Sequence, residues 1–292
     1  MVLGGKMDSI KELKSIELTS YTTIMTGITV LFSIILAIIV TIAMGIGVPN
    51  GLGIAIYLIP TIIVGTFMLA IYQYFSEGLF YNLLAKKLRT VAIAIKDEKE
   101  IVKISTTETA MMVSLIATIQ VILIYLVSVM ILPLVVNSTI QTLIYSGQDS
   151  IAYTFYQFLM ILSQPTTIIM LIFGSFIMSF VFILIGCYIY NFIAKKGKGI
   201  VLNLREENDF TAIDSINPMR LSIAFAIISG ILSLIIAIIM IISGVPIMNA
   251  ISNVLSSFIA GFIGSYIFAI FYNFLAPKLG KLKIELIDYK IN

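Results

Sequence analysis

Residues 80–95 read FYNLLAKKLRTVAIAI, and the same arrangement of residues occurs twice more in the chain. Residues 190–204 read YNFIAKKGKGIVLNL, and residues 271–286 read FYNFLAPKLGKLKIEL. The three blocks align without a gap, and agreement of this kind indicates internal duplication. The sequence therefore predicts three copies of one structural unit.

Each block begins with residues typical of the end of a membrane helix and ends with residues typical of a strand. The Tyr suits the level at which a helix leaves the lipid, and the Lys residues that follow suit the headgroup region. In the last five residues of each block the first, third and fifth are apolar, which is the period of a half-buried strand. We predict short strands at residues 91–95, 200–204 and 282–286.

Six long apolar runs decide the class of protein. Hydrophobic residues make up 60% of the chain and charged residues 11%, whereas a soluble domain has about 45–50% and about 25%. Each run approaches or exceeds the roughly 20 residues with which a helix crosses a hydrocarbon core. The runs are residues 22–46, 60–84, 109–134, 166–193, 221–242 and 251–275.

Shorter apolar patterns precede the first, third and fifth runs, at residues 16–18, 102–104 and 213–216. Isolated strands would leave backbone groups unpaired, so we expect these segments to pair with the predicted strands in a small sheet or ring. The predicted fold class is an all-α membrane protein. Its six transmembrane helices form three strand-helix-helix-strand repeats in a pseudo-threefold arrangement, with a small cytoplasmic β element.

The block positions divide the chain into three repeats of two transmembrane helices each. The predicted repeats are residues 1–98, 99–208 and 209–292. The second repeat contains a long outer loop at residues 135–165. Within this loop, residues 150–159 are aromatic and uncharged, and we expect a short helix that lies in the outer interface.

The distribution of positive charge predicts the side on which each connection lies. All 18 Lys and Arg residues fall in the amino-terminal stretch, the linkers after the second and fourth runs, or the carboxyl-terminal stretch. Because short basic loops stay in the cytoplasm, we expect both termini there. Short loops without a cleavable signal are typical of a multi-pass protein of a prokaryotic plasma membrane, which is the location that we predict.

The third unit resembles a known family at its edges. Ile216-Asn217-Pro218 precede its first helix, and Tyr272-Asn273 and then Gly280 follow its second. This pattern is similar to the two-helix transmembrane family called domain of unknown function 3566, here triplicated in one chain. Asn217 stands where that family has an acid, and Lys281 stands where it has a second glycine. The resemblance implies a two-helix membrane fold for each unit and no particular chemistry.

Glu77 is the one acid inside the apolar runs. Acids within a membrane are costly and are often functional, but the equivalent positions in the other repeats hold Gly186 and Phe268. We favour an acid that faces the helix bundle or reaches to the interface and supports local structure. An ion or proton site is the alternative.

An Asn follows the Tyr in each block, and this pair is the other candidate site. The helix-terminating role is favoured, because Asn is accepted at carboxyl-terminal caps. The alternative is a three-membered polar ring, if the repeats surround an axis. The six residues are Tyr81, Asn82, Tyr190, Asn191, Tyr272 and Asn273.

The residue content argues against catalysis. The chain has no histidine, which removes the commonest general base and metal ligand, and it has no carboxylate pair, nucleophile elbow or phosphate-binding glycine loop. The sequence predicts no enzyme, cofactor or metal site. Nucleic acid is not expected as a partner, because acids share the basic side; the expected partner is the lipid bilayer.

Two functions remain open. The first is a membrane scaffold or assembly factor that binds other membrane proteins or further copies of itself. The second is a channel or carrier for a small solute along an axis between the three repeats. The near absence of charge inside the apolar runs favours the scaffold over ion-coupled transport, although an uncharged pore would leave the same trace.

Overall fold

The computed structural model of the protein describes residues 9–47 and 51–289. In this part of the chain there are six strands and seven α-helices. The strands are β1 (Ser9–Ile16), β2 (Val91–Lys96), β3 (Glu100–Ile104), β4 (Ile200–Glu207), β5 (Phe210–Ile216) and β6 (Lys283–Asp288). The helices are α1 (Leu18–Gly47), α2 (Gly51–Ala85), α3 (Thr106–Tyr145), α4 (Asp149–Leu162), α5 (Pro165–Ile193), α6 (Pro218–Ile242) and α7 (Ile247–Leu279).

The chain falls into two compact units. The first holds the described residues up to Thr109 together with those from Leu184 onward, and the second is Ala110–Ile183. All six strands belong to the first unit, with α1, α2, α6, α7, the first turn of α3 and the end of α5. The second unit contains the rest of α3 and α5 and the whole of α4.

The six strands of the first unit form a closed antiparallel barrel in the order β1-β2-β3-β4-β5-β6. β6 pairs with β1 and closes the ring. The predicted fold class, an all-α protein with a small β element, is therefore wrong. The error has a physical cause. Charged residues pair across strands, as Lys14 does with Glu285, and they give these segments the composition of polar linkers.

Three β-bulges help the small sheet to close. In the β1–β6, β2–β3 and β4–β5 ladders the register shifts by one residue, which leaves Lys14, Val102 and Asp214 as the extra residues. Each extra residue lies at the same place in its strand, two positions before the last residue. Bulges bend a strand and increase its twist, as closure of a six-stranded ring requires.

Six of the helices are long and apolar enough to cross a membrane, and they confirm the six predicted runs. In the most apolar window of each helix, between 0% and 17% of the residues are buried. Side chains such as Ile38 and Ile42 are more than half exposed, at 55% and 56%. Contiguous apolar surface of this extent is not tolerated in water, and six such helices are consistent with a membrane protein.

The helices of the first unit pack against one another and against the strands of the barrel. α1 and α2 form one hairpin, and α6 and α7 form another. α1 also packs on α7, where Ile24 and Ile28 lie in one buried cluster with Ala269 and Tyr272. Local residues set the start of α6: Asn217 accepts a hydrogen bond from the Arg220 N–H at 3.1 Å, which is the role of an N-cap.

In the second unit, the segment predicted as a long outer loop is mostly helical. α3 continues past Pro133 as far as Tyr145, and α4 follows after three residues. α4 buries Ala152 and Leu159, and the Tyr125 hydroxyl donates to the carbonyl of Leu162 at 2.6 Å. The expected helix at residues 150–159 lies within α4, and outside α4 residues 135–165 consist of the end of α3, the first residue of α5 and two short connections.

Candidate functional site

The three Asn residues of the repeated blocks each bind the backbone of a strand. The Asn82 carbonyl oxygen accepts from the N–H of Ile16, the last residue of β1, and its amide nitrogen donates to the Ile16 carbonyl, both at 2.8 Å. The same two bonds, again at 2.8 Å, join Asn191 to Ile104 and Asn273 to Ile216. Each amide therefore holds the end of one helix against the strand that precedes its hairpin.

The three Tyr residues bind the same strands three residues earlier. Their hydroxyl groups donate to backbone carbonyls at 2.6 Å in every case. The acceptor carbonyl belongs to the residue just before the extra residue of each bulge. The pairs are Tyr81 with Leu13, Tyr190 with Ile101 and Tyr272 with Ile213.

Each Tyr hydroxyl also accepts a hydrogen bond from the segment that follows its own helix, at the first residue of β2 or β4 or at the residue before β6. The donor N–H groups belong to Ile200 for Tyr190, at 3.1 Å, and to Leu282 for Tyr272, at 3.3 Å. Val91 provides the equivalent bond to Tyr81. One hydroxyl group thus joins the strand before each pair of spanning helices to the start of the segment after it.

We call each set of a Tyr, an Asn and their backbone partners a clamp. The three Tyr side chains are between 1% and 6% exposed, so their hydroxyl groups need internal partners. Removing one partner of a buried hydrogen bond costs about 1–3 kcal/mol, because the other group is left without water. The clamps therefore make a large contribution to the attachment of the helices to the barrel.

The clamps bear directly on the two interpretations of the Asn residues. Their observed partners are strand residues and not the carbonyl groups at the end of their own helix. The oxygen and nitrogen atoms of all three amides are engaged in these bonds. The Asn side chains therefore attach a helix end to the barrel. This role is neither the helix termination nor the polar ring that we considered from the sequence.

Glu77 lies between α1 and α2. One carboxylate oxygen accepts from the Tyr21 hydroxyl at 2.9 Å, and the other accepts from the Gln73 amide at 3.1 Å. Beside it, the hydroxyl groups of Tyr74 and Thr29 are 2.8 Å apart, and the Tyr21 and Tyr74 rings meet edge to face. Glu77 thus belongs to a polar contact that crosses the α1–α2 hairpin.

Ion pairs on the surface of the barrel were not predicted from the sequence. Asp214 binds Lys281 at 2.5 Å and Arg205 at 2.7 Å, and Glu285 binds Lys14 at 2.6 Å. The hydrogen bond from Lys281 holds the pKa of Asp214 below its ordinary value, and the bond from Lys14 does the same for Glu285. Charged residues at alternating positions of a strand could have indicated such pairs. Their partners could not be identified, because partners such as Lys14 and Glu285 are remote in sequence.

The six apolar helices are consistent with a membrane protein, and the clamps fasten the ends of α2, α5 and α7 to a six-stranded barrel. Within residues 9–47 and 51–289, no group of three or more acidic, Cys or His side chains is placed to hold a metal ion. Comparison with protein-family models, curated proteins and solved structures gives no match for this chain. Its function is therefore inferred from its own residues.

Proposed function

We propose that the protein is a membrane scaffold or assembly factor, a multi-pass protein of a prokaryotic plasma membrane. In this proposal the barrel and both termini lie in the cytoplasm, and the protein binds other membrane proteins or further copies of itself. The observation that carries the proposal is the use of the repeated polar residues. All three clamps commit their amide and hydroxyl groups to internal bonds, which fits a rigid platform better than a chemical or transport site.

We also propose that the chain arose by triplication of one unit, with repeats at residues 1–98, 99–208 and 209–292. The recurrence of the same backbone bonds in three places supports this proposal. In each repeat the Asn binds the last residue of the preceding strand, and the Tyr bonds the residue ten positions further on. The likeness of the third unit to the two-helix family stays a prediction.

The surfaces that remain available favour binding of partners. The outer face of the barrel carries paired charges, such as Asp214 with Lys281. The spanning helices of the first unit carry large exposed apolar side chains, including Ile39 at 57% and Ile239 at 58%. A partner in the bilayer would meet the helices, and a soluble partner would meet the barrel.

Photo-crosslinking in native membranes tests the scaffold. A crosslinking amino acid is placed in the full chain at exposed barrel position Glu206, at exposed helix position Ile239, and at buried position Ala224 as the control. We expect the Ala224 variant to give no adduct and one exposed position to give a stoichiometric product with a protein or a second copy. Recovery of the protein alone from both exposed positions would contradict the scaffold.

A transport assay distinguishes the second function. The purified protein is reconstituted in liposomes and tested with ions and small uncharged solutes. The scaffold proposal expects no selective flux above that of empty liposomes. Selective flux that is changed by Glu77→Gln would favour a channel or carrier instead.

A further inference from the structure

A groove of about 950 Å³ opens on one side of the barrel. It lies beside the ends of α2 and α5 and the first turn of α3, and its floor is formed by β1, β2 and β3. All of these elements belong to the first unit. The lining residues that matter here are Arg89, Ala92, Ala94, Lys103, Tyr188 and Lys195.

Two small residues on β2 make room for the groove. Val91 and Ile95 are buried, at 8% and 4% exposure, and Ala92 and Ala94 line the groove. Ala92 and Ala94 lie on the same face of β2, because side chains alternate along a strand, and Ile93 between them also contributes to the lining. Because the side chains of Ala92 and Ala94 are single methyl groups, they leave space above this part of the strand.

The corresponding positions of the third block are filled differently. The alignment of the blocks places Lys283 and Glu285 where the first block has Ala92 and Ala94. Both of these longer side chains form ion pairs on the barrel surface, with nitrogen-to-oxygen distances of 3.0 and 2.6 Å. The first block thus has small side chains at two positions where the third block has long charged ones, and this difference leaves room for the groove.

Three cations lie around the groove. Arg89 follows α2, Lys103 lies on β3, and Lys195 follows α5. Within residues 9–47 and 51–289, none of the three forms an ion pair with a carboxylate. This contrasts with Lys14, which is paired elsewhere on the same barrel.

Two acids share the groove, and each has its own source of stabilisation. Glu12 accepts a hydrogen bond from the Thr90 hydroxyl at 2.7 Å. Glu108 lies in the first turn of α3, where the helix dipole favours a negative charge. Three cations and two acids thus line the groove, and within the described part of the chain the surplus of positive charge is not neutralised by an ion pair with any of the three cations.

Part of the groove wall nearest the spanning helices is apolar. Tyr188 on α5 is 60% exposed, and Leu88 after α2 is 40% exposed. An aromatic residue at the end of an apolar helix is typical of the membrane interface. Free phosphate would use only the cations, whereas a phospholipid would use the cations for its phosphate and the apolar wall for its glycerol and acyl chains.

We propose that this groove binds the headgroup of an anionic phospholipid, with Arg89, Lys103 and Lys195 around the phosphate. Basic pockets at the end of membrane helices recognise lipid headgroups in this way, and Arg adds paired hydrogen bonds to phosphate oxygens. The proposal depends on residence in a membrane and not on the scaffold role.

Titration of the full chain in detergent with phosphatidylglycerol tests the site, with thermal stability and retained lipid in native mass spectrometry as the two readouts. The test variant is the triple substitution Arg89→Gln, Lys103→Gln and Lys195→Gln. We expect its affinity for phosphatidylglycerol to fall by at least about tenfold, since each cation near an anionic headgroup contributes. For a comparison at equal charge, the single variant Lys103→Gln is set against Lys99→Gln, which removes one charge from the exposed turn between β2 and β3.

A second variant separates the site from a loss of folding or of general charge. Ala94→Leu keeps every charge but raises the floor of the groove, and we expect it to weaken phosphatidylglycerol binding while the protein without lipid melts as before. Equal losses in the Lys103→Gln and Lys99→Gln proteins would overturn the proposal, because attraction would then be unspecific. Stabilisation by glycerol phosphate that equals that by phosphatidylglycerol would also overturn it, in favour of a site for free phosphates.

Discussion

The side chain of Asn273 bridges the backbone of Ile216, accepting a hydrogen bond from its N–H and donating one to its carbonyl, each at 2.8 Å. An amide bound in this way imitates the edge of a neighbouring strand. Because Ile216 is the last residue of β5, the amide continues the pairing of the strand where the sheet ends. The helix thereby takes over the backbone groups that an adjacent strand would otherwise satisfy.

Substitution of the clamp amide tests its structural role. We expect Asn273→Ala to lower the free energy of unfolding by about 1–3 kcal/mol, because the backbone groups of Ile216 lose their partner. Asn273→Asp should fail to restore stability at neutral pH, because a carboxylate accepts hydrogen bonds but cannot donate to the carbonyl. The measurement is unfolding in detergent, with Asn253→Ala on the same helix as the control. Equal stability of all three variants would contradict the clamp.

Removal of the Tyr190 hydroxyl should loosen the start of β4. The Tyr190→Phe substitution leaves the Ile101 carbonyl and the Ile200 N–H without their partner, at a cost of about 1–3 kcal/mol. Hydrogen exchange should rise at Ile200 first. The control is Tyr188→Phe, since Tyr188 is exposed two residues earlier on the same helix. Unchanged exchange at Ile200 would count against the bond.

The ion pairs of the barrel predict loss of stability in acid. Asp214 and Glu285 have pKa values held below 3.8 and 4.5 by the Lys281 and Lys14 ammonium groups respectively. A carboxyl whose pKa is lower in the folded state contributes its full stability above the unfolded pKa and loses it as the pH falls through the folded pKa. We expect the melting temperature to fall as the pH decreases below those unfolded values. The fall should be smaller in Asp214→Asn, and a parallel fall in both proteins would contradict this assignment.

We expect Glu77 to stabilise the contact between α1 and α2. In Glu77→Gln one oxygen can still accept from the Tyr21 hydroxyl, so we expect a small change in melting temperature. Glu77→Leu removes both acceptors and should destabilise the α1–α2 hairpin by about 1–3 kcal/mol. The measurement is thermal unfolding of both variants in one detergent. If Gln and Leu were equally tolerated, the contact with Tyr21 would be irrelevant to stability.

Much of the fold could be predicted because its signals are local. Apolar runs identified the six long helices, and the alternation after each block placed the starts of β2 and β4 at Val91 and Ile200, where the structure has them. β6 begins one residue later than expected, at Lys283. The N–H of Leu282 bonds the Tyr272 hydroxyl instead of a strand.

The barrel was underestimated because its bulges disrupt the pattern that reveals a strand. One extra residue, such as Lys14 in β1, moves the following side chains to the opposite face. Alternation is then broken within β1, β3 and β5. Of the short segments predicted next to the helices, residues 102–104 and 213–216 lie in β3 and β5, whereas of residues 16–18 only Ile16 lies in β1. The closed ring depends on ladders between remote segments, which local periodicity does not encode.

The clamps, like the barrel, could be predicted from the sequence only in part. Recurrence alone identified all three Tyr-Asn pairs, but their partners lie far away in sequence. The Asn residues bind backbone groups 66, 87 and 57 residues earlier. A residue that recurs at a helix end is compatible with a cap, a pore ring or a clamp, and only the position of the strand distinguishes them.

We propose that three clamps fasten the apolar helices to one barrel and that this barrel lies on the cytoplasmic side of the membrane. The most direct test of this proposal is labelling of single cysteines in a Cys187→Ala background, in intact cells and in inverted vesicles, with a reagent that does not cross membranes. We predict that cysteines at Glu98 and Asn208, in two turns of the barrel, react only in inverted vesicles, and that one at Tyr153 on α4 reacts only in intact cells. Labelling of either barrel turn from outside the cell would contradict the account.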